Sequence, residues 1–403
     1  MATGQGLPQD LPPGRLPLYA VAVAVVAANA YYFHPIIGLV VRDLQVDAAT
    51  IGLVPALNQV ALALGILLLL PLGDRFSNRT MVTAAISVQA LATLIMALAE
   101  SFPMLLLGST LLGFATLAPY LMPAYVSKRV EKRRLGQATA WLTTGVVAGV
   151  LFGRGIAGPM AEAFGWRSIF FVATGLLLLC AIGLPRLMER GERSPAGEGG
   201  VRERLGYLNL LLSIGPIVRR HPEALLSGAI QGLSFGVFLA LWLALGLHLT
   251  SPRLGHGADV VSYLAILSGV GLLTTPSLGR LADRIGARRA RTLFLCLQMV
   301  AIGSFAAAGD AVWWMAVPAV LMGISGPITD VSGRMTILGL APEIRTRLMT
   351  VYVVLMFAGG GIASWLSTFA YDLGGWTANV TVAALLSGAA LVLSAWSLWR
   401  WGR

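Results

Sequence analysis

Three ionisable side chains, His34, Arg154 and Asp330, fall inside long apolar stretches. A charge at the centre of a membrane helix costs about 2.5–3.5 kcal/mol, so residues kept there usually serve pathways, relays or gates. Asp330 precedes Arg334 by one helical turn. A desolvated carboxylate there can take up and release a proton, or it can pair with Arg334 as part of a gate. His34 can titrate near neutrality, or its ring can bond a backbone carbonyl that Pro35 leaves free. Arg154 stays charged. It can attract an anionic group, close a gate, or reach out to the edge of the apolar layer. Tyr31, Tyr32, Tyr120, Phe235 and Trp242 supply aromatic surface, and Asn58, Gln59, Gln89, Gln231 and Gln298 supply uncharged polar groups. There is no G-x(4)-G-K-[ST], no H-E-x-x-H and no acid–base pair within a run. The two cysteines, Cys180 and Cys296, both lie in apolar runs, which argues against a disulfide framework or a cysteine metal site. No catalytic residue, metal or cofactor is expected.

The elements that carry these residues are membrane helices. Of 403 residues, 57% are hydrophobic and 12% charged, with mean hydropathy +0.78. Soluble chains carry about 25% charge. Runs bounded by charge, Pro or Gly give twelve spans: 16–40, 49–72, 81–99, 103–127, 136–160, 168–188, 224–248, 259–278, 292–308, 311–333, 348–371 and 377–399. The first is too long for a signal-peptide core and no small-residue cleavage site follows it, so it is expected to be retained. Twelve spans place both termini on one side. Twenty-five of the 29 Lys and Arg then fall on the terminus side, and Arg42, Arg167 and Arg253 on the other. That asymmetry predicts cytoplasmic termini. The net charge of +11 therefore reads as topology, with a lipid bilayer and no nucleic acid as partner.

The loop at 189–222 divides the chain into six-span bundles at 1–188 and 223–403. Gly191 to Gly200 reads as flexible linker. Leu205 to Val218, flanked by Arg202, Arg204, Arg219 and Arg220, has the pattern of an amphipathic helix on the membrane surface. The halves repeat each other. Asp74-Arg75 matches Asp283-Arg284, Gly165-Trp166 matches Gly375-Trp376, and Arg134 matches Arg345, at offsets of 209 to 211. Two parallel six-span repeats suit a transporter whose site lies between the halves near the midplane. The predicted class is an all-α membrane protein with twelve transmembrane helices in two six-helix repeats.

Gly279-Arg280-Leu281-Ala282-Asp283-Arg284-Ile285-Gly286-Ala287-Arg288-Arg289 resembles the signature loop of the major facilitator superfamily, G-x-L-x-D-R-x-G-R-[RK], with Ala287 in place of one basic residue. Leu70 to Arg79 is a looser copy, in which Leu70, Ser77 and Asn78 replace Gly, Gly and Arg. The resemblance implies that Asp74, Arg75, Asp283, Arg284 and Arg288 work in a conformational gate. It is also the resemblance that implies spans 1, 4, 7 and 10 line a central cavity, which would contain Tyr31, Tyr32, Tyr120, Gln231 and Phe235. Tyr31-Tyr32-Phe33-His34-Pro35, Pro71 to Arg75, Gly153-Arg154 and Gly165-Trp166-Arg167 are similar to a bacterial efflux branch of that superfamily. Its members are generally taken to export drugs, sugars or other small metabolites, often against protons. Span 4 lacks the arginine of the drug-antiporter pattern, and the glycine motif of span 5 is only partly present, as Gly145, Gly149, Gly153 and Gly158-Pro159.

An aromatic cavity with few charges suits a small amphipathic substrate. The expected function is secondary active export by alternating access, with a proton as coupling ion carried by Asp330 or His34, in a monomer. A passive facilitator, or an uptake carrier for a sugar-like or anionic metabolite, is the closer alternative, and an integral membrane enzyme a distant one.

Overall fold

The computed structural model describes residues 11–12, 14–74, 76–127, 129–188, 214–340 and 344–402, which are helical with no strand among them. Among the described residues sixteen α-helices carry the fold. The first half contains α1 (Arg15–Ala28), α2 (Phe33–Leu44), α3 (Ala48–Ile51), α4 (Leu53–Leu69), α5 (Asn78–Ala97), α6 (Phe102–Phe114), α7 (Ala118–Ser127), α8 (Leu135–Phe164) and α9 (Arg167–Leu187). The second contains α10 (Ile214–Arg220), α11 (Pro222–Leu249), α12 (Ala258–Ser268), α13 (Val270–Ile285), α14 (Ala287–Ala308), α15 (Val312–Leu338) and α16 (Arg345–Trp401). Only the final part of the expected surface helix, α10, is described, and its Arg219 and Arg220 are exposed. Leu205 and its neighbours lie outside the described residues.

Ten helical stretches are long and apolar enough to cross a membrane, against the twelve expected. The difference has two physical sources. α16 runs for 57 residues but contains non-helical backbone at Gly374 and Gly375, where the expected spans 11 and 12 meet. The expected span 8 is divided at Gly269 into α12 and α13, and neither piece is long enough alone.

The repeat seen in the sequence recurs in the backbone. Gly165 (φ 80) turns the chain between α8 and α9, and Gly375 (φ 62) turns it at the matching point of the second half. Glycine alone takes such angles without steric cost. The signature loops differ. Gly286 adopts φ 90, whereas Ser77 at the matching position keeps negative φ and caps α5 by accepting from the Thr80 N–H at 3.1 Å.

Small residues set the distances between helices. A Cβ added at Gly145, Gly149 or Gly153 of α8 would lie 2.3, 2.2 or 3.0 Å from the carbonyl oxygens of Ala20, Ala24 and Ala28 on α1. Both series advance by four residues, so the two helices run parallel with backbones in direct contact. In the second half, Gly228, Gly232 and Gly236 of α11 likewise pack closely on α16, against the Leu355 side chain, the Leu355 carbonyl and the Ala363 Cβ respectively. Gly149 and Gly359 are equivalent rungs, 210 residues apart.

The closest backbone approaches between the two halves lie toward the end of the molecule away from the termini, and Leu348, Tyr352 and Phe357 also share a buried apolar cluster with residues of the first half. At that end Gly246 of α11 abuts the His34 carbonyl, Gly38 of α2 abuts Thr250, Gly158 of α8 abuts Ala258, and Gly361 of α16 abuts Ala56. Arg42 donates to the Thr250 carbonyl at 3.2 Å, and the Ala258 N–H donates to Glu162 at 2.7 Å. Phe33, Ile36 and Ile37 of α2 share one apolar cluster with Leu243 and Leu247 of α11.

Candidate functional site

The rung that joins Gly153 to Ala28 carries Arg154 to the first break in span 1. There the Arg154 guanidinium carbon stands 4.8 Å from the Tyr31 ring centre, 4.5 Å from Phe238 and 5.1 Å from Trp242. Arg154 is only 3% exposed. It does not reach the edge of the apolar layer, because the small-residue ladder holds α8 against α1 and α12 covers its other side. Its Nε and Nη2 atoms have no hydrogen-bond partner among the described residues, and no carboxylate lies within ion-pair distance there. Three π-faces stabilise the cation in part and leave its hydrogen-bonding capacity unused.

The same residue is tied to the contact between the halves. Ser262 of α12 accepts from the Gly158 N–H at 2.9 Å and donates to the Arg154 carbonyl. Its hydroxyl thus inserts at the helical rung between residues 154 and 158, next to Pro159, where a side chain can enter a helix ladder.

The second half presents Gln231, Phe235, Phe238 and Trp242 at spacings of four, three and four residues, one face of α11. Phe235 stacks on Phe238 at 6.1 Å and meets Phe357 edge-on at 5.6 Å. Phe357 meets Tyr120 of α7 edge-on at 6.2 Å. A continuous aromatic row therefore runs from Tyr120 across Phe357, Phe235 and Phe238 to Trp242, with Arg154 over its end. Gln231 is buried, and its Oε1 has no partner among the described residues.

His34 stacks on Tyr31 at 5.6 Å. Pro35 carries no N–H, which frees the Tyr31 carbonyl, and His34 Nδ1 lies 3.3 Å from that oxygen. A carbonyl only accepts, so Nδ1 carries the proton and the buried Nε2 is left as an acceptor without a partner. Tyr32, one residue on, packs into the apolar cluster at the far end and does not join the row. Sequence reading missed Phe238 and Phe357. Phe238 was accessible through its spacing from Phe235 and Trp242, whereas Phe357 reaches the row from another helix and carries no local signal.

Asp330 is held by two groups. Arg334 donates from Nε at 2.8 Å, and the Tyr352 hydroxyl donates to Oδ1 at 3.0 Å.

Of the loop residues, Arg75 and the Asp74 side chain lie outside the described structure. Asp283 and Arg284 are exposed, and neither forms an ion pair among the described residues. Arg288 pairs with Glu223 of α11 at 2.6 Å. Nearby Arg291, fully buried, donates to the hydroxyls of Ser227, Ser394 and Ser397, so that each guanidinium nitrogen has a partner. Gln89 bonds Thr116, and Gln298 bonds Ser234, within their own halves. Asn58 donates to the Ser109 carbonyl, also within its half.

A family model described as "Major Facilitator Superfamily" matches residues 19–311 and 224–402. The chain belongs to the major facilitator superfamily. It is a multi-pass membrane transporter, not an enzyme, and its partners are a small-molecule substrate and the lipid bilayer. A "Probable transporter SCO4007" of Streptomyces coelicolor is 30% identical, over 94% of this chain and 85% of that protein. "Multidrug resistance protein MdtG" of Enterobacter lignolyticus is 27% identical over 54% of this chain and 51% of its own length. A crystal structure of a peptide transporter, POT, in complex with sulfate superposes with a TM-score of 0.75 at 11% identity, covering 99% of this chain and 98% of that one. At that identity the likeness shows the fold alone. Within this superfamily fold, the row of rings and Arg154 stand where side chains of both halves face one another.

Proposed function

We propose that this transporter exports a small amphipathic molecule by alternating access, in exchange for protons. The observation that carries this reading is the aromatic row from Tyr120 to Trp242, built from helices of both halves and ending at Arg154. Such a row offers apolar surface to a substrate's body with a polar anchor at one end. Tyr31, His34, Tyr120, Arg154, Gln231 and Phe235 are the substrate-facing set, with Phe238, Trp242 and Phe357 added. Tyr32 is assigned to packing. Likeness to a protein named for multidrug resistance supports the direction of transport. The charge asymmetry supports placing both termini in the cytoplasm, and likeness to bacterial transporters supports a bacterial inner-membrane location. In that orientation the contacts between Gly158 and Ala258 and between Gly246 and His34 close the external side.

The bundles at 1–188 and 223–403 move as the rocking units, with 189–222 between them, in a monomer. Asp74, Arg75, Asp283, Arg284 and Arg288 form the cytoplasmic gate. Asp330 is the preferred proton carrier and His34 the second candidate. Asp330 has hydrogen-bonding partners whose loss on protonation would free Arg334 and Tyr352. The bare Arg154 favours one competing reading, a carrier for an anionic metabolite without proton coupling.

Reconstituted liposomes with an imposed proton gradient separate the two. Substrate-dependent proton flux in the wild type is expected, and its absence while substrate still crosses would leave the uncoupled carrier.

A further inference from the structure

Arg154 is a buried cation whose nearest partners are ring faces. Burial without a counter-ion costs free energy that three cation–π contacts offset only in part. The unpartnered atoms are Nε and Nη2, the two nitrogens along one edge of the guanidinium. That edge carries two parallel N–H groups, the fork that matches the two oxygens of a carboxylate. Arg291 gives the contrast within the same chain: it is as deeply buried, yet three serine hydroxyls satisfy it. The fold is thus able to supply neutral partners to a buried arginine and does so at one site while leaving the other bare.

Resting on the export reading, we propose that the transported molecule is an organic anion, bound by a carboxylate side-on to Arg154 Nε and Nη2, with an aromatic or other flat apolar body lying along Phe238, Phe235 and Phe357. The row sets the length of that body. From Phe238 to Gln231 is seven residues on one face of α11, about 10 Å at 1.5 Å per residue. Gln231 Oε1 and His34 Nε2 are both unpartnered acceptors, so a hydroxyl or N–H on the body would find a partner. A cationic substrate would face an uncompensated like charge at the end of the row, and a neutral one would leave the fork unfilled.

The test uses the full-length protein in nanodiscs and reads tryptophan fluorescence, since Trp242 lines the site. The probes are benzoate, 3-phenylpropionate, indole-3-acetate and octanoate, each with its neutral primary amide. At least one carboxylate should bind about 10- to 100-fold more tightly than its amide, the range for hydrogen bonds to a charged group. Arg154→Gln should remove that preference, so that each carboxylate binds no more tightly than its amide, and size-exclusion elution and thermal unfolding of the nanodisc-embedded variant show that it folds. Should Arg154→Gln not fold, Arg154→Lys keeps the charge and loses the fork, and should cost the carboxylate at least about tenfold. The proposal is overturned if no carboxylate in the panel binds more tightly than its amide, including the case in which none binds. It is equally overturned if the preference survives in Arg154→Lys and in Arg154→Gln. Efflux of the bound probe in inside-out vesicles is read separately. Carboxylate binding without efflux keeps this proposal and defeats the export reading. Efflux of the neutral amides, untouched by Arg154→Gln, does the reverse.

Discussion

At the scale of single residues, two charged groups near the middle of the fold are treated in opposite ways. The Arg154 guanidinium has aromatic faces, and its Nε and Nη2 have no hydrogen-bond partner among the described residues, while the Asp330 carboxylate has both an arginine and a tyrosine hydroxyl. Removing the Asp330 charge leaves Arg334 without its partner, which for a charged hydrogen bond costs about 1.5–3 kcal/mol. A loss of transport in Asp330→Asn alone would therefore confound coupling with stability. The double variant Asp330→Asn/Arg334→Gln removes both charges and should recover folded protein to near the wild-type level. If Asp330 carries the proton, that double variant still exchanges substrate downhill but shows no proton flux in liposomes. Proton flux at the wild-type rate would transfer the role to His34, the other titratable side chain beside the row.

Among the elements, the closest backbone approaches at the far end are made by small residues. A close backbone approach allows two helices to seal without interlocking side chains and so to part again. α8 and α12 meet at Gly158, where an added Cβ would lie 2.1 Å from the Ala258 carbonyl. Ser262 bonds into the same turn. Gly158→Leu should leave the α1–α8 ladder in place, since that ladder uses Gly145, Gly149 and Gly153 on other turns. It should instead disfavour the closed arrangement of α8 and α12. A cysteine replacing Trp242, in a Cys180→Ser/Cys296→Ser background, reports on this. Its labelling by a membrane-impermeant maleimide from the external side should rise at least about tenfold with Gly158→Leu, a shift of about 1.4 kcal/mol in the access equilibrium. Unchanged labelling would mean that the Gly158 contact does not hold that side shut.

For the whole molecule, the charge distribution and the exposed aromatic residues bear on how it sits in the bilayer. Arg42, Arg167 and Arg253 cluster at the far end, bonded to Thr250, Asp43 and Asp310 respectively. Trp313, 91% exposed, and Trp314 stand beside Asp310 at that end, while Trp399 is exposed near the C-terminus. Two bands of exposed tryptophan at opposite ends of an apolar body are the pattern of membrane interfaces. A reporter fused after Arg403, and one inserted at Gly197, should therefore behave as cytoplasmic, and one at Gly255 as external. A cytoplasmic signal at Gly255 would mean that an even number of spans precedes it where the assigned topology has seven, and the assigned external face would be wrong.

How much of this was legible before folding depends on the range of the physics involved. Apolar runs, the charge asymmetry and the matched Gly-Trp turns are properties of short segments, so the membrane class, the repeat and the glycine ladder follow from local chemistry alone. The bond from His34 to the Tyr31 carbonyl belongs to the same class, because Pro35 decides it within one turn. Helical periodicity extends this to faces: it places Gln231, Phe235, Phe238 and Trp242 together on α11. Beyond one helix the sequence is silent. That Phe357 joins Tyr120 to Phe235, that Tyr352 secures Asp330, and that Ser262 enters the turn of Arg154 depend on the depth and rotation of helices far apart in the chain. Those are set by close packing summed over many contacts. The bare edge of Arg154 is the clearest case: a serine or carboxylate beside it would have filled it, and only the assembled helices determine that none among the described residues does.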